Sequence, residues 1–205
     1  MITRAEPISE VRWSHLAPHE HIVQIYEEEG VLLDAMESFV AGGLEVGESA
    51  IVIAVSQHLN ELEERLYARG INVNLAITLH QYLPIDANEA LNQFLVDGVP
   101  DQDRFEKVVT QILSRARRGD RKIRAFGEMV AIMWERGQQA GTIQLERLWN
   151  ELRAKDSFPL FCAYPTSGFA GESRTLVECI CETHSRALSG VRKKPRLNGR
   201  RFSKS

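Results

Sequence analysis

The feature that most constrains the fold is an uninterrupted apolar run, Ala-Ile-Val-Ile-Ala-Val, at residues 50–55. A run without polar alternation is typical of a strand buried on both faces, as in a parallel sheet covered by helices. Apolar residues at helical spacing precede it from Gly30 to Gly43 and follow it from Leu59 to Gly70. Glycines at these ends are helix stop signals. The region therefore predicts a helix, a central parallel strand and a second helix.

The same alternation of element types continues along the chain. Further strands are expected at residues 21–26, within 75–83, at 122–126 and at 158–164. Further helices are expected after Asp86, from Asp101 to Gly119, at 129–136, around 145–152 and at 176–188, with Asp86 and Asp101 as N-caps. Strands separated by helices require crossover connections. The pattern predicts a three-layer α/β fold with a mostly parallel central sheet flanked by helices.

Charge is distributed unevenly. Of the 25 Lys and Arg residues, eight lie in residues 186–205, which contain no acidic residue, so all 28 Asp and Glu residues lie in the rest of the chain. An acidic body is unlike a nucleic-acid-binding domain, and only the basic tail could contact nucleic acid. The composition of this tail, with few apolar residues, predicts that it is disordered. Residues 1–18, with two prolines, predict a flexible lead-in, which leaves one folded domain at 19–185.

Localisation is expected to be cytoplasmic. No apolar run approaches the ~18 residues that span a bilayer, and the first residues have no signal-peptide core. An odd number of cysteines (Cys162, Cys179 and Cys181) suits a reducing compartment. No membrane contact is expected.

A phosphate-binding loop is the first site to seek in such a fold, and its signals are degenerate here. Residues 42–49, GGLEVGES, have the glycine spacing, but Glu48 stands where a phosphate-binding lysine is needed and the segment precedes a strand. The loop after the first predicted strand carries Glu27, Glu28 and Glu29, which would repel phosphates. No nucleotide cofactor is expected.

Metal and catalytic motifs are also weak. His15, His19 and His21 are interrupted by Pro18, and Cys179-x-Cys181-x-x-His184 would place its thiols on different sides of a helix. Neither pattern supplies the three or four converging ligands of a zinc site. No nucleophile elbow or catalytic triad is found. The expectation is no metal site and no catalytic residues.

One segment suggests a ligand site. Arg124 and Glu128 flank the end of a predicted strand, where open α/β sheets place their ligands, and Trp134, Trp149 and Tyr164 follow. An aromatic, partly polar pocket for a small molecule would explain them. The alternative is that Glu128 caps the next helix and the tryptophans fill the core.

Five segments in order carry a family resemblance: residues 21–27, 39–48, 126–130, 145–152 and 162–165. Together they resemble the MEDS domain, the methanogen/methylotroph sensory domain. The resemblance implies a RecA/KaiC-like fold without an intact phosphate loop and a sensory role towards small hydrocarbon derivatives. The cysteine that often follows the family's histidine by two residues is Val23 here. The resemblance maps its site positions to His21, Tyr26, Glu128, Glu146, Trp149 and Tyr164. With Arg124 and Trp134 from the strand-end segment, these are the expected ligand-binding residues.

The sequence thus predicts a stand-alone sensory or adaptor domain in bacterial signal transduction, without catalytic activity. Expected partners are a small organic ligand and a signalling protein such as a histidine kinase or a transcription regulator of a two-component system, with a homodimer as one expected assembly. Two alternatives stay open. One is a nucleotide-binding, ATPase-like enzyme on the same fold, and the other is a pure protein-interaction module.

Overall fold

The computed structural model describes residues 6–169, 180 and 182–189. The strands are β1 (Glu6–Pro7), β2 (His21–Tyr26), β3 (Ser49–Ala54), β4 (Tyr82–Asp86), β5 (Leu95–Val96), β6 (Val99–Pro100), β7 (Ile123–Gly127), β8 (Leu160–Pro165) and β9 (Arg186–Ser189). The helices are α1 (Glu29–Leu44), α2 (Ser56–Ala68), α3 (Val73–Thr78), α4 (Ala87–Phe94), α5 (Gln102–Ala116), α6 (Met129–Glu135) and α7 (Gln139–Lys155).

Seven of these strands form one sheet in the order β1-β9-β2-β8-β7-β3-β4, and every neighbouring pair is parallel. Strands β5 and β6 form a separate antiparallel hairpin. The apolar run at residues 50–55 forms β3 except for Val55, which precedes α2. Strand β3 pairs with β4 and β7, and all six of its residues are buried. The expected parallel sheet is confirmed.

Helices cover both faces of the sheet and make three layers. One face, which we call the α1 face, packs side chains such as Ile22, Val52 and Phe161 against α1, α2 and α3. The other, which we call the α7 face, packs Val23 and Cys162, among others, against α4, α5, α6 and α7. Because side chains alternate along a strand, neighbouring residues of β2 and β8 serve different faces. This alternation decides which candidate residues can meet.

The predicted helix starts at Asp86 and Asp101 are confirmed. The Asp86 carboxylate accepts hydrogen bonds from the backbone N–H groups of Asn88 and Glu89, and that of Asp101 accepts one from Arg104. Both satisfy donors that the first turn of a helix leaves unpaired.

The strand expected within residues 75–83 is wrong over its first part. Residues 73–78 form α3, whose N-cap Asn72 accepts a hydrogen bond from the backbone N–H of Leu75, and the strand begins at Tyr82. Leu75, Ile77 and Leu79 alternate like a strand in the sequence but are exposed.

Both domain boundaries need correction. The expected lead-in packs against the domain, because Trp13 is buried against Phe39 and Phe161 and β1 pairs with β9. Arg186–Ser189 were expected to end a helix and begin the tail, yet they form β9 between β1 and β2. Most of the remaining expected helix and tail, residues 176–179, 181 and 190–205, lies outside the described residues. Within the part of the chain that the structure describes, none of the helices has the length and apolar character that crossing a bilayer requires.

Candidate functional site

Four side chains that could bind a metal ion meet on the α7 face. They are His21 at the start of β2, Glu146 of α7, Cys162 of β8 and His184, which lies two residues before β9. One ligand atom from each lies within 4.8 Å of those of the others. The sheet order explains the meeting, since β2 lies between β8 and β9 and α7 packs over this face. We call these residues the four-residue cluster.

The donor atoms of the cluster face one another at short range. His21 Nε2 lies 3.4 Å from Cys162 Sγ and 3.5 Å from Glu146 Oε2. His184 Nε2 lies 3.5 Å from Glu146 Oε1, and the His21 and His184 rings contact each other with centroids 4.0 Å apart and planes tilted by 38°. The side chains of His21, Glu146 and His184 are at most 2% exposed. This is a dense group of polar side chains shielded from water.

Neighbouring polar groups fix the tautomer of His21. The Asn150 amide donates from Nδ2 to the Thr183 carbonyl, 3.3 Å away, and its Oδ1 accepts from Arg153 Nη1 at 3.1 Å. That orientation leaves Asn150 Oδ1 as the acceptor for His21 Nδ1 at 3.0 Å. Nδ1 of His21 therefore carries the proton, and its Nε2 lone pair faces Cys162 and Glu146.

The tautomer of His184 is fixed in the same way. His184 Nδ1 lies 2.6 Å from the Ile180 carbonyl oxygen, which can only accept, so Nδ1 donates. In the neutral ring Nε2 then bears the lone pair, and this atom is buried and has no hydrogen-bond partner. Glu146 Oε2 is buried and lacks a hydrogen-bond partner as well. Two lone pairs on nitrogen and one carboxyl oxygen are thus aimed at the same small volume.

Burial sets the protonation of two cluster members. Burial, assisted by His184 and Arg153, lowers the pKa of His21 to about 2, so the ring is neutral at physiological pH. Burial and the nearby Glu146 raise the pKa of the Cys162 thiol well above its ordinary value. The protein alone therefore holds a neutral imidazole beside a protonated thiol.

An aromatic cleft adjoins the cluster at the carboxyl end of β8. The Tyr164 hydroxyl donates a 2.6 Å hydrogen bond to Glu146 Oε1, and the Tyr164 ring lies edge-on to Trp134, with centroids 6.3 Å apart. Trp134 also contacts Phe169, with centroids 5.3 Å apart. Trp134 lines an open cleft of about 350 Å³. The other described residues that line it are Glu135, Gly137, Gln139, Ser167 and Gly168.

Glu128 lies at the carboxyl end of β7 and makes a different contact from the one expected. It occupies the N-cap position of α6 but makes no capping hydrogen bond. Its Oε1 lies 2.5 Å from Nδ1 of the buried His58, and its Oε2 accepts from the backbone N–H of Val55. Burial opposes a charge on His58, but the hydrogen bond and charge of Glu128 outweigh it and raise the pKa of His58. Burial and then Glu128 also raise the pKa of Tyr26.

Arg124 does not belong with Glu128, which corrects the pair expected from the sequence. Its fully buried guanidinium pairs with Glu48 at 2.5 Å and donates to the carbonyl oxygens of Trp13 and Phe39, each 2.7 Å away. It reaches these groups across Gly43, where any side chain would collide with it. Arg124 is therefore a structural residue beneath α1.

The expected site residues separate into four groups. His21, Glu146 and Tyr164 meet on the α7 face with Trp134 beside them, whereas Tyr26 and Glu128 lie together elsewhere. Arg124 lies apart, and Trp149 packs in the core against Phe105 and Phe158.

Sequence reasoning gave no site role to Cys162, His184, Asn150 or His58. As candidate metal motifs, the sequence pattern groups His21 with His15 and His19, which are exposed. It groups His184 with Cys179 and Cys181, which lie outside the described residues. The usable signal was the alternation in the last long strand, which puts Leu160, Cys162 and Tyr164 on one face.

Comparisons with known proteins agree with this architecture. One solved structure with a similar fold is the chain from the structural study of project PH0250 from Pyrococcus horikoshii OT3. The two chains have a TM-score of 0.56 and 8% sequence identity, and the match covers 91% of this chain and 88% of that one. At this identity the likeness concerns the fold alone. No curated protein matches the sequence. The model of the methanogen/methylotroph, DcmR sensory domain matches residues 20–185, and the chain therefore belongs to the MEDS family of sensory domains.

Proposed function

We propose that this MEDS domain is a sensory or adaptor module of bacterial signal transduction that acts by binding rather than catalysis. It binds a small organic ligand in the aromatic cleft beside Trp134 and reports this to a partner such as a histidine kinase or a transcription regulator in the cytoplasm. The observation that carries the proposal is a chain of contacts: Trp134 lines the cleft and lies edge-on to the buried Tyr164, whose hydroxyl donates to Glu146 of the four-residue cluster. It connects a surface accessible to ligand with the interior of the fold.

The lining of the cleft indicates the class of ligand. Trp134 is only 3% exposed and uses its indole N–H for the Gly168 carbonyl oxygen, 2.7 Å away, so the small part of the ring that faces the cleft is apolar. Glu135 and Gln139 supply polar groups at the rim. A volume of about 350 Å³ is at the lower end of small-molecule sites, so the ligand is expected to be small, part apolar and part polar.

The chain's own contacts disfavour an ATPase on this fold. Exposed Glu27 and Glu28 lie between β2 and α1, where a nucleotide-binding relative would need amide groups and a lysine to hold phosphates. Glu48, in the glycine-rich segment, is paired with the buried Arg124. Such a module is expected to have a RecA/KaiC-like ancestry with a lost nucleotide site.

A matched pair of substitutions tests ligand binding. Ser167 is exposed and lines the cleft, while Ser114 is exposed and lines a separate cleft on α5. In a calorimetric screen of small alcohols, halocarbons, amines and acids, the wild type and Ser114→Tyr are expected to bind the same compound. Ser167→Tyr should weaken it at least tenfold, because the ring fills the cleft. The proposal fails if no compound binds or if Ser167→Tyr binds as the wild type does.

A pure interaction module is the second candidate, favoured by an exposed apolar set on α2 and α3. Tyr67, Leu75, Ile77 and Leu79 are between 37% and 52% exposed. A pull-down with and without small-molecule extract separates the candidates. Capture that is independent of extract and abolished by Leu75→Glu supports the interaction module, whereas capture that requires extract and is abolished by Ser167→Tyr supports the sensory module.

A further inference from the structure

We propose that His21, Glu146, Cys162 and His184 form a binding site for one zinc(II) ion. This site goes beyond the small-molecule cleft and does not depend on it. Four donor atoms of types that zinc prefers converge here from β2, α7, β8 and the segment before β9. The ion would join parts of the chain that are more than 160 residues apart, since His21 and His184 are its first and last ligands.

The distances fit a tetrahedral site. Zinc bonds of about 2.0–2.1 Å to nitrogen or oxygen and about 2.3 Å to sulfur place neighbouring ligand atoms about 3.3–3.6 Å apart in a tetrahedron. The structure has 3.4 Å between His21 Nε2 and Cys162 Sγ, and 3.5 Å between His21 Nε2 and Glu146 Oε2. These two separations are those of ligands around a common centre. His184 Nε2 lies 3.5 Å from Glu146 Oε1, the other carboxylate oxygen, and one donor atom of each of the four residues lies within 4.8 Å of the others.

The surrounding hydrogen bonds orient each ligand as metal sites require. Both histidines donate from Nδ1, one to Asn150 and the other to the Ile180 carbonyl, and so direct Nε2 lone pairs inward. Ligating histidines in proteins usually have such a partner on the second nitrogen. Tyr164 holds Glu146 Oε1, which leaves Oε2 to bind the ion. The outer contacts therefore fix orientation without occupying the donor atoms.

The unpartnered atoms and the charge of the ligands also favour a divalent cation in the cluster. His184 Nε2 and Glu146 Oε2 are buried without hydrogen-bond partners, which is costly unless something else binds them. Two neutral imidazoles, one carboxylate and one thiolate carry two negative charges, which a divalent ion neutralises. When zinc binds, the S–H bond of Cys162 breaks, an S–Zn bond forms and the proton passes to solvent. Nitrogen and sulfur donors exclude magnesium and calcium, which take oxygen ligands.

Titration of the full chain tests the site directly. After dialysis against chelator, the protein is expected to retain one equivalent of added zinc through gel filtration, measured by elemental analysis. Cobalt(II) should occupy the same site and give tetrahedral ligand-field bands with a thiolate charge-transfer band, and zinc should displace it. Substoichiometric zinc, or a cobalt spectrum of octahedral character without the thiolate band, overturns the proposal, and neither readout requires a variant to fold.

Variants then assign the ligands. Cys162→Ser and Glu146→Gln should weaken zinc binding more than 100-fold, and Asn150→Ala about 10- to 100-fold through loss of His21 orientation. Cys179→Ser and Cys181→Ser are the matched controls and should bind as the wild type does. Circular dichroism of each metal-free variant checks folding. Zinc affinity that survives Cys162→Ser, or that falls in either control, overturns the assignment.

Discussion

Gly43→Ala is expected to destabilise the protein, although alanine normally favours a helix. Gly43 lies in α1, and a Cβ placed there would stand 2.6 Å from Cδ and 2.8 Å from Cζ of Arg124. The Arg124 side chain has little freedom to move, because its guanidinium is fully buried and bonds to Glu48 and to the carbonyl oxygens of Trp13 and Phe39. The substitution must therefore displace the guanidinium and break some of these contacts.

The magnitude follows from two opposing terms. Glycine to alanine in a helix gains about 1 kcal/mol. Breaking a buried ion pair costs about 3–5 kcal/mol, because it leaves charge uncompensated in the interior. The net loss of unfolding free energy should be about 2–4 kcal/mol, which corresponds to a fall in Tm of roughly 10 °C for a domain of this size.

Urea unfolding followed by circular dichroism measures the effect, and a double-mutant cycle assigns it. Arg124→Ala alone should be strongly destabilising because it leaves Glu48 unpaired. In that background Gly43→Ala should be neutral or stabilise by up to about 1 kcal/mol, since the obstacle is gone. Additive effects of the two substitutions, or a single Gly43→Ala variant as stable as the wild type, would show that Gly43 is not required by the Arg124 side chain.

Two other predictions concern a charged pair and the last strand. Because the pKa of His58 is raised in the folded protein, its pair with Glu128 adds stability that is complete below about pH 6.5 and is lost as pH rises through the folded pKa. Glu128→Gln should thus destabilise more at pH 6 than at pH 9 in thermal melts and should lower the His58 pKa in an NMR titration; an equal loss at both pH values contradicts this. A chain ending at Ser189 should keep the wild-type melting transition, whereas one ending at Ser185 should melt lower, because it lacks β9 and its bonds to β1 and β2. Equal melting temperatures would show that β9 contributes nothing.

Much of the fold was predictable because its signals are local. The unbroken apolar run of β3 and the caps Asp86 and Asp101 depend on residues close together in sequence, and each lies where expected. Helix α3 was mistaken for a strand because Leu75, Ile77 and Leu79 alternate with period two. The cap at Asn72 decides in favour of the helix, and these side chains remain exposed.

The site was predictable only in part because it is assembled by strand order. His21 and Glu146 were chosen, but their partners Cys162 and His184 come from neighbours of β2 in the sheet, and which strands neighbour each other is not a local property. Arg124 was misplaced for a related reason. Its distance from Glu128 in sequence is short, yet its side chain faces α1 and finds Glu48, 76 residues away.

The proposed zinc site requires His21, Glu146, Cys162 and His184 to bind one ion together on the α7 face. A crystal grown with zinc and measured on both sides of the zinc absorption edge tests this requirement. We expect one anomalous peak per chain, about 2.0–2.3 Å from the two Nε2 atoms, the thiolate and Glu146 Oε2. An anomalous map without that peak, or with zinc only at exposed residues such as His15 and His19, would contradict it.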